Sequence, residues 1–385
     1  MANSRDVSKV TSLRKILASL VVVSIAVLHA AEPPPFRPLF NGRNLDGWVN
    51  VNCAPETFQV LDGMIHCDGI PTGALRTDRQ FENFELELEW RHLKSGGNAG
   101  VFIWAGSLPA VGQPFLRAIE VQVLDHGYGK SDWFTTHGDI FPIHGSRMKP
   151  FLPSKGDRSF PRESRSKGTP EWNHYRIVAT NGVIRLAVNG AEVSGGEDCS
   201  WRKGFIALES EGGVVDWRNL KVREFPSSGA TASDSAPKAE AWRSLYDGRS
   251  FSGWTLSKGP AGLWQARDWT LFCGTNGVPS AVLTGVPSGG AKDLFFDWRW
   301  EAQPSQMVPP LELAVAGVPS RIVLPALPTA KASAWNRVHL RRSGRFLDIR
   351  LNDLPAGRIP MPSGDFTPVL CPSQVPTRFA SLFVK

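Results

Sequence analysis

Asp125, His126, His137, Asp139 and His144 crowd into twenty residues, with Arg147 just beyond. Carboxylates and imidazoles mixed in this way suit general acid–base chemistry, where one group takes a proton while another gives one. His137-Gly138-Asp139 and Phe141-Pro142-Ile143-His144-Gly145 are broken by Gly and Pro, so they read as loops. Loops on the rim of a rigid scaffold are where sites are usually assembled. His137, Asp139 and His144 could instead hold a divalent metal, but His-x-Asp with a second His five residues on is a weak ligand signature. Just upstream, Ala118 to Asp125 alternates: Ile119, Val121 and Val123 face one way, Glu120 and Gln122 the other.

These residues need elements to position them. Phe84-Glu85-Leu86-Glu87-Leu88-Glu89-Trp90-Arg91 alternates strictly, and Ala99 to Trp104, Ile119 to Leu124, Tyr175 to Ala179, Ile184 to Val188 and Phe205 to Leu208 are further strand-like runs. Asn181-Gly182 and Asn189-Gly190 separate runs as turns, the latter a hairpin dipeptide. Helical periodicity is missing throughout, so the expectation is all-β, a sandwich or jelly roll. Trp104 shares strand parity with Asn98 and Phe102, where an indole would offer a flat apolar platform with one donor. Trp48, Trp90, Trp172 and Trp217 read as core.

The chain repeats itself. Leu39-Phe40-Asn41-Gly42-Arg43-Asn44-Leu45-Asp46-Gly47-Trp48 returns as Leu245-Tyr246-Asp247-Gly248-Arg249-Ser250-Phe251-Ser252-Gly253-Trp254, an offset of 206. Trp172-Asn173 returns as Trp335-Asn336, and Val188-Asn189-Gly190 as Leu351-Asn352-Asp353, at offset 163. Two homologous domains are expected, at 36–225 and 241–385, joined by a flexible linker at 226–240 of small residues. The second copy is shortened in its middle. Glu312 can be laid against Glu120, but Ala314 and Gly317 replace Gln122 and Asp125, and the only histidine beyond the linker is His339. That copy reads as a structural partner of the first rather than a second site.

Composition narrows the class. The 385 residues are 42% hydrophobic and 21% charged, which excludes wholesale disorder and coiled coil. The formal net charge is +7, and the densest basic stretch, Arg147 to Lys167, includes Arg158 and is rich in Pro, Ser and Gly. It reads as a solvated loop, and nucleic acid is not an expected partner. Arg5, Lys9, Arg14 and Lys15 precede an apolar run from Ile16 to Leu28 and then Ala30-Ala31. Such a pattern predicts a signal peptide over 1–31 and export to the periplasm or beyond, with an uncleaved anchor as the other reading. No other segment is apolar enough to span a membrane. Of five cysteines, Cys53 and Cys67 flank a predicted strand and form the expected local pair.

Phe40-Asn41-Gly42 with Gly47-Trp48, Gly97-Asn98-Ala99-Gly100-Val101-Phe102, Glu120-Val121-Gln122-Val123-Leu124-Asp125, Trp172-Asn173-His174-Tyr175-Arg176-Ile177 and Trp217-Arg218-Asn219-Leu220-Lys221-Val222 together resemble the 3-keto-disaccharide hydrolase domain family. The second half resembles it only at its two ends. The resemblance implies two tandem concanavalin A-like jelly-roll sandwiches and cleavage of glycosides whose sugar carries a ketone at C3. Where that family tends to carry Gln and His, this chain has Glu209 and Glu211.

A C3 ketone acidifies the hydrogen on C2, so a base can remove it and the C1 substituent then leaves by elimination, with water adding later. Glu120 or a histidine could be the base, with His137, His144 or Arg147 as acid or oxyanion donor, and Asp125 as a further catalytic candidate. Gln122, Trp104, Asn98, His126, Asp139 and Arg147 are the expected substrate contacts. A metal on His137, Asp139 and His144 could stabilise the charge instead. Direct hydrolysis by two carboxyls drawn from Glu120, Asp125, Asp139 and Glu209 is a second route. A non-catalytic carbohydrate-binding protein is the alternative to an enzyme.

Overall fold

The computed structural model describes residues 32–385 except 136, 153–155, 239–240, 275–281, 287–289, 302–310, 316–321, 325–333, 362–366 and 373–374. The expected signal peptide and Gly317 lie outside the described residues, as does the side chain of Glu312. Among the described residues the regular structure is β, plus one 3₁₀ turn at His126–Tyr128.

Residues 37–224 build two antiparallel sheets. One has nine strands, centred on Asn173–Thr180, Phe84–His92 and Val215–Glu224. The other has six, in the order Trp48–Val51, Gly73–Thr77, Phe205–Ser210, Asn98–Ala105, Ala118–Leu124, His137–Ile143. Apolar alternation dictates the layering. Phe84, Leu86, Leu88 and Trp90 from the first sheet meet Val101, Ile103, Ile119, Val121, Val123, Ile206 and Leu208 from the second in one buried core. The Asn-Gly dipeptides make the turns they advertise. Thr180 pairs with Val183 and Val188 with Ala191, and Asn181, Gly182, Asn189 and Gly190 all take positive φ. His137–Ile143 is an edge strand rather than a loop, because its backbone pairs with Ala118–Leu124 despite the Gly and Pro within it.

Residues 243–384 build an eight-stranded and a five-stranded sheet. The internal repeat is expressed as repeated contacts. Trp48 Nε1 donates to Leu39 O at 3.2 Å and Trp254 Nε1 to Leu245 O at 2.6 Å. Asn189 Nδ2 donates to Asn173 Oδ1 at 3.0 Å and Asn352 Nδ2 to Asn336 Oδ1 at 2.9 Å.

Several readings need correction. Cys53 and Cys67 are buried, unbridged thiols. Burial pushes Cys67 up to about 12, so it stays protonated. Trp172 is half-buried between the guanidiniums of Arg91 and Arg218, at 4.6 and 3.9 Å, rather than in the core. The stretch read as a flexible linker is pinned to the first sandwich: Glu82 accepts from Ser227, Ser228 and Ala230, and Ser107 Oγ donates to Pro237 O at 2.8 Å.

Candidate active site

The site grows from three neighbouring strands, Phe205–Ser210, Asn98–Ala105 and Ala118–Leu124, on the sheet face turned away from the core. Gly100 pairs with Gln122, and Phe102 pairs with Glu120 on one side and Ala207 on the other. Glycine at 100 leaves the room the carboxyls occupy: a Cβ there would meet Glu209 Oε2 at 2.9 Å and Glu120 Oε1 at 3.0 Å. Glu211, just past the Phe205–Ser210 strand, completes a trio of carboxyls.

These groups line a cleft of about 400 Å³ with Asn98, Gln122, Arg158 and His144, walled by Phe115, Phe141, Tyr128 and Phe134. A chain of polar contacts crosses its floor. Asp139 accepts from Arg158 Nη1 at 3.1 Å, the same nitrogen donates to Gln122 Oε1 at 3.0 Å, and Gln122 Nε2 donates to Asn98 Oδ1 at 2.8 Å. Asn98 Nδ2 in turn donates to Glu211 Oε2. Arg158 lies over Phe141, its guanidinium carbon 3.4 Å from the ring centroid, and its bonds to Gln122 and Asp139 aim the guanidinium.

Burial sets the protonation state. Glu120 is pushed up to about 8 by burial and then by the charge of Glu211, with Arg158 opposing. Burial lifts Glu211 to about 7 while the Asn98 hydrogen bond pulls it back. Glu209 is also raised well above the usual carboxylate range, by burial and then by both other carboxyls, and its Oε2 has no hydrogen-bond partner. The three cannot all ionise near neutrality. The cleft therefore holds at least one carboxylic acid ready to donate beside a carboxylate close to its pKa.

The structure brings Glu120, Gln122, Asn98 and His144 together in the cleft, His144 stacked on Phe115 at 6.1 Å and held toward its neutral form by burial. Asp139 is fully buried behind the cleft, where it braces Arg158 and accepts from Thr135. Burial raises its pKa against these bonds.

The other expected residues lie elsewhere. Asp125 accepts from Gly96 N and Gly127 N, both at 2.8 Å, and from Thr169. Burial would raise its pKa, but these bonds overcome it and hold the carboxylate ionised as a loop brace. His137 is buried against Ser166 and lowered to about 4, by burial and then by the charge of His126; His126 bonds Ser166 Oγ at 2.6 Å. Arg147 sits on an outer strand and lines a separate depression with Trp201 and Arg202. Trp104 is core: the Asn98–Ala105 strand carries one extra residue against Phe205–Ala207, Trp104 takes φ +51°, and its Nε1 donates to Glu82 O at 2.9 Å. That bulge breaks the parity on which the platform reading rested. The metal ligand set of His137, Asp139 and His144 is not assembled, since each engages different partners, and no group of three His, Cys, Asp or Glu side chains is gathered for a metal among the described residues.

Sequence reasoning treated Arg158 as part of a solvated loop, and Glu209 and Glu211 chiefly as departures from a family pattern. Alternation with buried Ile206 and Leu208 places Glu209 on the cleft face, a signal available in the sequence. Arg158 has no such signal; it arrives from a loop 36 residues beyond the Gln122 it bonds.

A two-sheet all-β sandwich with a polar cleft on one outer sheet face is the class these features define. Residues 35–223, just under half of the chain, match the family described as a 3-keto-alpha-glucoside-1,2-lyase-like domain. A 3-keto-disaccharide hydrolase of Bacteroides thetaiotaomicron is 23% identical over 244 residues, covering 48% of this chain and 77% of the relative. Among solved structures, a Parabacteroides distasonis protein proposed to be a glycosyl hydrolase is 22% identical, covering 50% of this chain and 100% of that one, with a TM-score of 0.37. The carbohydrate-binding module CBM66 of Bacillus subtilis is 12% identical over 46% of this chain and 96% of its own, with a TM-score of 0.34.

Proposed function

We propose that the cleft cleaves 3-keto-glycosides by removing the C2 proton and expelling the C1 substituent. The observation that carries this reading is the trio of buried carboxyls beside an aimed guanidinium. A C2–H next to a ketone needs a base that is ionised yet still basic near neutrality, and Glu211, held near 7, is such a group. The electron pair of the C2–H bond forms the C1–C2 double bond through an enolate whose charge rests on the C3 oxygen. Arg158 holds that oxygen, its guanidinium positioned by Asp139 and by the Gln122 side-chain carbonyl. Glu120, protonated to about 8, gives its proton to the departing glycosidic oxygen. Water adds across the double bond afterwards, returning a 3-keto sugar. The family match and the name of the Bacteroides thetaiotaomicron relative support the substrate class.

The test is aglycone release from 3-keto-glucosides in deuterated water, with the sugar product examined by NMR. The expected result is release with deuterium at C2, reduced at least a hundredfold in Glu211→Gln and Glu120→Gln. Release without deuterium would replace elimination by direct hydrolysis. Saccharide binding with no release by the wild-type protein would refute catalysis and leave a binding protein.

A further inference from the structure

The cleft has two ends, and they differ in kind. At one end the sheet face turns apolar: Phe102, Ala118, Phe205 and Ala207 share one buried cluster with Phe295 and Phe383 of the second sandwich. Phe115 and Ile143 belong to both the cleft wall and this cluster, so the second sandwich closes the sheet face right up to the cleft. The closure is latched by Gly112 N donating to Asp297 Oδ2 at 2.8 Å and Arg337 Nη2 donating to Pro109 O at 2.9 Å.

The other end is formed by residues 125–135, between the Ala118–Leu124 and His137–Ile143 strands. Tyr128 and Phe134 line the cleft there, edge to face at 5.8 Å, and Tyr128 is 49% exposed and Trp133 62% exposed. Aromatic side chains on the wall of a concave polar site are the usual platform for a ligand's apolar face. This loop is fixed at its base: Asp125 caps its first turn, Ser131 N donates to Phe134 O at 2.9 Å, and Thr135 N donates to Asp139 Oδ2 at 3.0 Å. Tyr128 and Phe134 thus stand at the mouth on a loop tied, through Thr135, to the same carboxylate that braces Arg158.

We propose that Tyr128, Trp133 and Phe134 form the subsite for the leaving half of the glycoside, and that they select an aglycone with a flat apolar ring face. This rests on the proposed 3-keto-glycoside chemistry for the direction in which the substrate lies. With the reacting sugar over Glu120 and Gln122 and the second sandwich behind it, the C1 substituent projects across the aromatic rim. A pyranose and an aromatic ring both present such a face, and either would stack on Tyr128 or Trp133.

The test compares kcat/KM for methyl, benzyl and glucosyl 3-keto-glucosides. Methanol and benzyl alcohol are near-equal leaving groups, so their ratio reports the ring alone. The benzyl or glucosyl substrate should exceed the methyl one by about tenfold. Tyr128→Ala and Trp133→Ala should each cut that ratio by about fivefold, while Tyr128→Phe keeps it, which separates stacking from a folding defect. A fall confined to the benzyl or to the glucosyl substrate identifies the ring type. Ratios unchanged in both alanine variants overturn the subsite while leaving the catalytic reading intact. If no 3-keto-glucoside is cleaved, the catalytic reading falls and calorimetric titration of unoxidised benzyl glucoside decides the subsite alone. Weaker binding to Tyr128→Ala than to wild type then supports it, and equal binding overturns it.

Discussion

Glu120→Gln should make the protein more stable in mild alkali and leave it unchanged in acid. Burial keeps Glu120 protonated up to about 8, whereas a glutamate in the unfolded chain ionises near 4.5. The folded state therefore binds more protons between these values. Stability attributable to this group is complete below about 4.5 and is lost as pH climbs through 8. Linkage at about 1.4 kcal/mol per pH unit across that window amounts to roughly 5 kcal/mol. Glutamine keeps the shape and cannot ionise, so the variant should escape most of this loss. Some slope should remain. Glu120 Oε1 and Glu209 Oε2 each lie about 3 Å from the point a Gly100 Cβ would take, so they are at most about 6 Å apart. Two negative charges at that distance repel by about 3 kcal/mol at an effective dielectric near 20, and with Glu120 neutral the other two carboxyls ionise more readily. Urea unfolding of both proteins at about pH 5, 6.5, 8 and 9 measures the difference. Curves that converge near pH 5 and separate by several kcal/mol at pH 9, the variant higher, are expected. Parallel curves would mean that Glu120 carries no extra proton in the folded state, and the assignment of an acid to the cleft would fail.

Arg158→Met removes the guanidinium that lies over Phe141 and leaves the fully buried Asp139 with its Thr135 hydrogen bonds but without its cationic partner. Chemical denaturation near neutrality should show a loss of about 3 kcal/mol, and turnover of 3-keto-glucosides should drop about a hundredfold or more. Gly112 has φ +66°, and a Cβ there would lie 2.1 Å from the Trp335 ring. Gly112→Ala should therefore cost about 1–3 kcal/mol, read by calorimetry as a lowered Tm; an unchanged Tm would mean the two sandwiches do not meet there in solution. Trp104→Phe removes the bond to Glu82 O and should cost about 1–2 kcal/mol without altering saccharide affinity by titration, because the indole faces the core and not the cleft.

Half of the cleft was legible because strand parity is a local property. Ile119, Val121 and Val123 must be buried, so Glu120 and Gln122 must face the other way, and Asn98 follows by the same reasoning on the next strand. Parity fails where backbone geometry is irregular. One extra residue at Ile103-Trp104 turned an expected platform into core, and pairing at the sheet edge turned an expected loop, His137–Ile143, into a strand. The histidine cluster misled for a different reason: nearness along the chain says nothing about which side of a strand or turn a ring leaves from, and His126 and His137 share Ser166 while His144 stacks on Phe115.

By itself the sequence determined the all-β architecture, the hairpins and the repeated Trp and Asn contacts of the two halves, because alternation, turn dipeptides and short-range hydrogen bonds are encoded within a few residues. Only the tertiary structure decided which charges meet. Glu209 and Glu211 stand beside Glu120 across paired strands, and Arg158 reaches them from a distant loop. Protonation depends on that assembly, since a carboxyl is lifted toward neutrality by lost water and neighbouring charge, and neither exists until the sheet has formed.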